Sequence, residues 1–245
     1  MTKTTKNIEN EKMPFTQHLE ELRKRLIIIF ISIGFGFILT YFLSHKIILI
    51  LKIPLGQDLI FISPTEAFFV NLKVALFASL FLTIPITLYQ LWKFVSPGLL
   101  EKEKKYTLPF VVSSTIMFVI GGVFAYYLIL PFGIKFLLAY GTNGIKPMLS
   151  LGNYISFTTK LILAFGIVFE LPLVLLFLTK IGIITPKFLT RNRKYAILLV
   201  FIIAAFLTPP DVFTQILMAL PLIVLYEVSI LLSKLVYKKK GDDEV

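Results

Sequence analysis

Six apolar stretches divide the chain, and nothing else in the sequence constrains its fold as strongly. They run over about 26–44, 68–92, 107–131, 155–178, 195–207 and 212–232. A helix rises about 1.5 Å per residue, so about 20 residues cross a hydrocarbon core ~30 Å thick. The fifth stretch has only 13 residues and reaches about 20 Å. Composition agrees with a bilayer as solvent. Of 245 residues 57% are hydrophobic and 16% charged, against about 45–50% and 25% in soluble domains on a closely similar count. A soluble globule, a disordered chain and, with no cysteine present, a disulfide-stapled secreted module are all excluded.

The net charge of +11 invites a nucleic-acid reading. The positions of the cations argue against it. Nineteen of the 25 Lys and Arg lie in segments 1–25, 93–106, 179–194 and the tail after 232, and four lie in the alternate segments 45–67, 132–154 and 208–211. Cytoplasmic loops accumulate Lys and Arg. The asymmetry therefore predicts six crossings with both termini cytoplasmic, and it requires the short fifth stretch to cross. Local thinning of the bilayer or shielding by neighbours must then cover the mismatch.

The first stretch follows a cationic segment, as in a signal peptide. The residues after it, Tyr41-Phe42-Leu43-Ser44-His45, are too bulky for a cleavage site, so it is expected to stay as the first helix. Pro85, Pro109, Pro172 and Pro221 fall inside apolar stretches and predict kinks. The expected architecture is an all-α polytopic membrane protein. It is a kinked, concave six-helix bundle with short fifth and sixth helices and caps from the outer loops. A flexible segment 1–13, one domain over 14–235 and a disordered cytoplasmic tail over 236–245 complete it.

Several polar residues stand out. Glu170, in Phe165-Gly166-Ile167-Val168-Phe169-Glu170-Leu171-Pro172, lies eight residues inside the fourth stretch, roughly 12 Å deep. A carboxylate at a span centre costs about 3 kcal/mol on insertion scales. Glu170 must be protonated, paired or facing water. Pro172 leaves the Val168 carbonyl free as one partner, and an interhelical hydrogen bond is another. Glu227 is nearer the end of its stretch, where snorkelling or a pair with Lys234 satisfies it. Gln90 beside Trp92 reads either as an interfacial anchor or as a site residue.

Ahead of the first stretch, Phe15, Leu19, Leu22 and Leu26 share one helical face. Glu20, Glu21, Arg23, Lys24 and Arg25 occupy the other, which predicts a short helix on the cytoplasmic headgroups. Glu20–Lys24 and Glu21–Arg25 have the i,i+4 spacing of pairs worth about 0.3–0.5 kcal/mol each. Alternatively, some of these carboxylates face outward to meet a cation. Loop 93–106 likewise sets Glu101 and Glu103 among four lysines.

Chemistry-bearing motifs are absent from the sequence. His18 and His45 are far apart, and there is no HExxH, GxSxG, GxGxxG or Walker loop. No enzyme activity, metal, cofactor or nucleic-acid partner is expected. The chain binds, conducts or assembles. A proton-coupled transporter using Glu170 and Glu227 is the rival reading. It predicts inverted repeats, and no internal repeat is present.

The motifs together resemble the TatC family, the core subunit of the twin-arginine protein translocase. The resemblance lies in His18-Leu19-Glu20-Glu21-Leu22-Arg23-Lys24-Arg25, Ser63-Pro64-Thr65-Glu66-Ala67-Phe68, and Gln90 through Leu99 with Glu103. It continues in Phe165 through Pro172, Leu207-Thr208-Pro209-Pro210-Asp211 and Ala219-Leu220-Pro221. It covers about residues 14–232. It implies a receptor in the bacterial cytoplasmic (inner) membrane that binds signal peptides bearing two adjacent arginines. Such a receptor self-associates, works with single-span TatA- and TatB-type partners, and moves folded proteins with the proton-motive force. Carried over by residue, Glu21 and Glu103 would bind the arginines. Arg23, Phe94, Gln90 and Leu99 would complete the cytoplasmic patch. Glu170 would face a groove in the membrane, with the fifth helix as the partner's dock. Pro97, Gly98, Pro209, Pro210 and Asp211 would be structural turns.

Overall fold

The computed structural model describes residues 15–95, 107–139, 148–208 and 211–242. Among them the backbone is helical, joined by short turns and one isolated bridge. Helix α1 spans Phe15–Tyr41, α2 Ser44–Lys52 and α3 Pro64–Val95. Then come α4 Thr107–Phe124, α5 Leu130–Leu138, α6 Leu151–Val168, α7 Leu171–Lys180, α8 Pro186–Arg191, α9 Arg193–Leu207 and α10 Val212–Asp242. Four continuous helical stretches, Pro64–Val95, Leu108–Leu138, Leu151–Lys180 and Val212–Tyr237, are long and apolar enough to cross a membrane. The pair α1–α2 qualifies as a fifth, bent by 78°. Large apolar side chains such as Phe30, Ile31, Phe35, Ile38 and Phe206 point outward, as lipid-facing positions require.

The amphipathic N-terminal segment is not a separate helix. It is the first part of α1, because no breaker stands between Glu20 and Ile29 and the i,i+4 pair Lys24–Glu20 at 2.9 Å supports continuation. Helix α1 packs along α3 through small residues. A Cβ on Gly36 would sit 3.1 Å from Thr83 Cγ2. At that approach Thr40 Oγ1 donates to the Ala75 carbonyl at 2.7 Å, and Ser79 Oγ donates to the Ile33 carbonyl at 3.2 Å. Small interfacial residues with hydroxyl cross-links are how helices associate where water gives no drive.

The prolines act in two ways. Pro85 and Pro221 lie inside continuous helices. Pro109 falls in the first turn of α4, where no intrahelical donor is lost, and Pro172 in the first turn of α7. Pro172 therefore starts a new helix rather than kinking an old one. Ahead of Pro131 the chain widens into a π turn, Ala125–Ile129, and Leu130 donates back to the Ala125 carbonyl. A wide turn relieves the clash between a proline ring and the carbonyl four residues earlier. The last helix is not short: α10 runs 31 residues to Asp242, well past the apolar stretch. Lysines favour its continuation, because they are good helix formers and complement a helix C-terminus.

The end of the molecule where α1 meets α2 is closed by cross-connections. Ile60 bridges Ser150, with N–H···O bonds of 3.1 Å to the Leu149 carbonyl and 2.8 Å from Leu151. Glu66 accepts from Ile62 N at 2.7 Å, Gly152 N at 2.6 Å and Ser150 Oγ at 2.5 Å. It fastens the connection between α2 and α3 to the start of α6. Tyr126 and Tyr154 hydroxyls donate to the Ile50 and Leu51 carbonyls at the end of α2. Lys52 Nζ, 2.6 Å from Asp58, holds that exposed carboxyl below the usual carboxylate range. The core between these ends is apolar, with Val74, Leu130, Ile155, Leu161, Phe165 and Met218 buried together.

Candidate functional site

The start of α1 and the end of α3 meet antiparallel at the end of the molecule opposite the Glu66 latch. Two contacts, two turns apart on α1 and one turn apart on α3, hold them. The His18 ring stacks on Phe94 with centroids 4.3 Å apart and 23° between planes. Arg25 then reaches Gln90, its Nη1 donating to Oε1 at 3.1 Å. The same guanidinium donates to Glu21 Oε1 from Nε at 2.8 Å and from Nη2. Residues 18, 21 and 25 share one face of α1, so helical spacing alone brings them together. Gln90 is buried, but the Glu21 side chain keeps 24% of its surface exposed. The arrangement is an open carboxylate binding a guanidinium by charge-assisted bonds, with an amide and a stacked aromatic pair beside it.

Of the residues singled out in the sequence, Glu21, Gln90 and Phe94 come together here. Arg23 is on the same helix but exposed, and it makes no hydrogen bond among the described residues. Leu99, Glu103, Pro97, Gly98, Pro209 and Pro210 lie outside the described residues. Asp211 caps α10: its Oδ1 accepts from Thr214 N at 2.7 Å and its Oδ2 from the Thr214 hydroxyl. The sequence reading missed Arg25 and His18 as site residues. Arg25 was visible only as a helix pair with Glu21, and the positions sharing a face with Glu21 were the signal available.

Glu170 sits at the break between α6 and α7, where it caps the second helix through its backbone. Its carbonyl accepts from Val174 at 2.9 Å and its N–H donates to the Ile167 carbonyl at 3.1 Å. The side-chain Oε1 is buried without a hydrogen bond, so the Val168 carbonyl is not its partner there. The Ser114 hydroxyl is also buried and unpaired. A buried polar group left without a partner is costly, and the two unmet atoms mark a polar spot between α4 and α7. Glu227 does not pair with Lys234. It accepts from Arg193 Nη2 at 2.8 Å, joining α9 to α10. Trp92 is not a free interfacial anchor either, since it packs on Phe110 and Phe177 with centroids 3.9 and 4.3 Å away.

Comparison with known proteins places this geometry in a family. Residues 17–221 match the family model for the Sec-independent protein translocase protein TatC. The TatC of Desulforapulum autotrophicum is 47% identical over 242 residues, covering 96% of this chain and 90% of that protein. The TatC of Aquifex aeolicus is 44% identical over 237 residues, covering 94% and 98%. A crystal structure of a twin-arginine translocase receptor, TatC, superposes with a TM-score of 0.82 at 43% identity, covering 89% of this chain and 99% of that one. A match across most of the chain, at this identity and with this fold, means that the chain belongs to the TatC family of Sec-independent protein translocase subunits.

Proposed function

We propose that this subunit is the receptor for twin-arginine signal peptides and that Glu21 and Glu103 take the two arginines. The observation that carries the reading is the Glu21 cluster. Glu21 already binds a guanidinium, the group a twin-arginine peptide presents, and it does so at an open helix face beside Phe94 and Gln90. An arginine fork matches a carboxylate with two parallel bonds, which lysine cannot do. Arg23, Leu99 and the lysines of loop 93–106 complete the patch and oppose peptides that bring only diffuse positive charge.

In this reading the chain crosses the inner membrane six times, with α9 as the short crossing and both termini cytoplasmic. It assembles with copies of itself and with TatA- and TatB-type single-span partners, and the proton-motive force drives transport of folded cargo. Glu170 receives a polar residue of a partner's helix near α9. A carboxyl buried in the membrane with an unmet oxygen supports that role.

The test is peptide binding to the purified complex. Glu21→Ala and Glu103→Ala should each weaken a twin-arginine peptide about tenfold or more, and a lysine–lysine peptide should bind poorly to the native protein. Unchanged binding in both variants sinks the assignment. For Glu170, replacement by Gln and by Ala separates hydrogen bonding from charge. Normal transport and partner crosslinking in both variants would make the residue structural.

A further inference from the structure

We infer that a groove between α8 and the end of α10 is a binding site for an anionic phospholipid. The groove has a volume of about 760 Å³ and is lined by Thr185, Pro186, Lys187, Thr190, Arg191, Lys234 and Tyr237. Among the described residues that line it, three of seven are cationic and none is acidic. Lys187, Arg191 and Lys234 make no hydrogen bond or ion pair among the described residues. The carboxylate best placed to neutralise Lys234 was Glu227, and it is engaged by Arg193 instead. The hydroxyls offer less than they seem to. Thr185 Oγ1 already accepts from Phe188 N, and Thr190 Oγ1 donates to the Pro186 carbonyl. The cations are therefore the groups left to meet a ligand.

Three features select a lipid over other anions. First, level: Lys234 lies two residues beyond the last apolar stretch, at the height of the headgroups. Second, surroundings: Ile183, Phe188, Leu231 and Leu235 are exposed on the adjoining surface, which suits acyl chains and not a water-soluble anion. Third, charge: the groove belongs to the segments carrying the cationic excess, and basic pockets between helices on the cytoplasmic side are built to take phosphate headgroups. Three cations exceed what one phosphate neutralises. The expected order of retention is cardiolipin, then phosphatidylglycerol, then phosphatidylcholine. Only the choice of leaflet rests on the proposed orientation. Lipid retention does not depend on signal-peptide binding.

The full chain in detergent micelles, supplied with each of these lipids, is read by native mass spectrometry. K187Q/R191Q/K234Q should retain about tenfold less cardiolipin than the native chain, with phosphatidylcholine unchanged. K46Q/K135Q/K160Q removes the same charge at exposed positions that do not line the groove and should leave retention intact. R191K, which keeps the charge, should retain most of the lipid and guards against a folding artefact. Equal retention by the groove variant, or equal loss in the K46Q/K135Q/K160Q variant, overturns the site. A rise in retention on neutralising Asp242, Asp243 and Glu244 would make the chain's own acidic tail the occupant, which also overturns it.

Discussion

At the scale of single residues, the central fact is that Glu21 is occupied. Its guanidinium partner is Arg25, one turn along, fixed at its far side by Gln90. In the proposed receptor role a peptide arginine would have to displace Arg25, and the resting pair would set a threshold that a lone or poorly aligned cation does not pass. Removing Arg25 should lower that threshold. Arg25→Ala should tighten a twin-arginine peptide about tenfold, the worth of one charge-assisted bond, and should improve single-arginine peptides most. Glu21→Gln should weaken both. The check is a titration of the purified complex with the two peptides. If Arg25→Ala weakens binding as Glu21→Gln does, Arg25 positions the carboxylate instead of competing for it. Glu66 offers a second prediction at this scale. It accepts three hydrogen bonds across two loops, so Glu66→Ala should lower thermal stability in detergent and open the outer loops to protease. Glu66→Gln, which keeps one carbonyl acceptor, should fall between. The types of residue in the site and the Glu21–Arg25 pair were legible in the sequence, but the joining of that pair to Gln90 was not. Arg25 and Gln90 are 65 residues apart, and only the antiparallel packing of α1 on α3 joins them.

At the scale of elements, helices pack where side chains are missing. A Cβ at Gly121 would lie 2.5 Å from the Phe165 carbonyl oxygen and 2.8 Å from Phe169 Cβ. That fixes the separation of α4 from α6 just beside the break that carries Glu170. Gly121→Ala should cost roughly 1–3 kcal/mol, as overpacking does. Gly34, with nothing within 4 Å of its would-be Cβ, should accept Ala with no loss, since helical glycine is itself unfavourable by about 0.5–1 kcal/mol. Thermal unfolding in detergent distinguishes the two. An all-helical membrane protein is legible from the apolar runs, because hydropathy reports burial in lipid directly. The breaks within runs were not. Pro131 follows a π turn, Pro85 interrupts nothing and Pro172 opens a new helix. What a proline does depends on whether a neighbour takes up the freed carbonyl, and sequence does not show neighbours.

At the scale of the whole molecule, the proposed topology turns on α9. Its 15 residues, Arg193–Leu207, rise about 22 Å, short of a ~30 Å core. If α9 crosses, the turn before α10 cannot reach the outer headgroups unless the bilayer thins there. That gives a kinetic signature that mere orientation would not. The chain has no cysteine, so single-cysteine variants report one position each. Asp58→Cys, in the outer loop, should react quickly with a membrane-impermeant maleimide added outside intact cells. Val212→Cys, 71% exposed at the start of α10, should react from the same side but markedly more slowly. Lys187→Cys and Lys238→Cys should react only after the membrane is opened. Labelling of Val212→Cys only from the cytoplasmic side would mean that α9 turns back without crossing, and the six-crossing topology would fail with it. Equal outside rates at 58 and 212 would keep the crossing and require the bilayer to thin beside α9. The slow rate expected at 212 instead leaves Glu170, on the neighbouring α6–α7 break, facing a membrane of ordinary thickness, where its unmet oxygen would have to be satisfied by a partner helix alone.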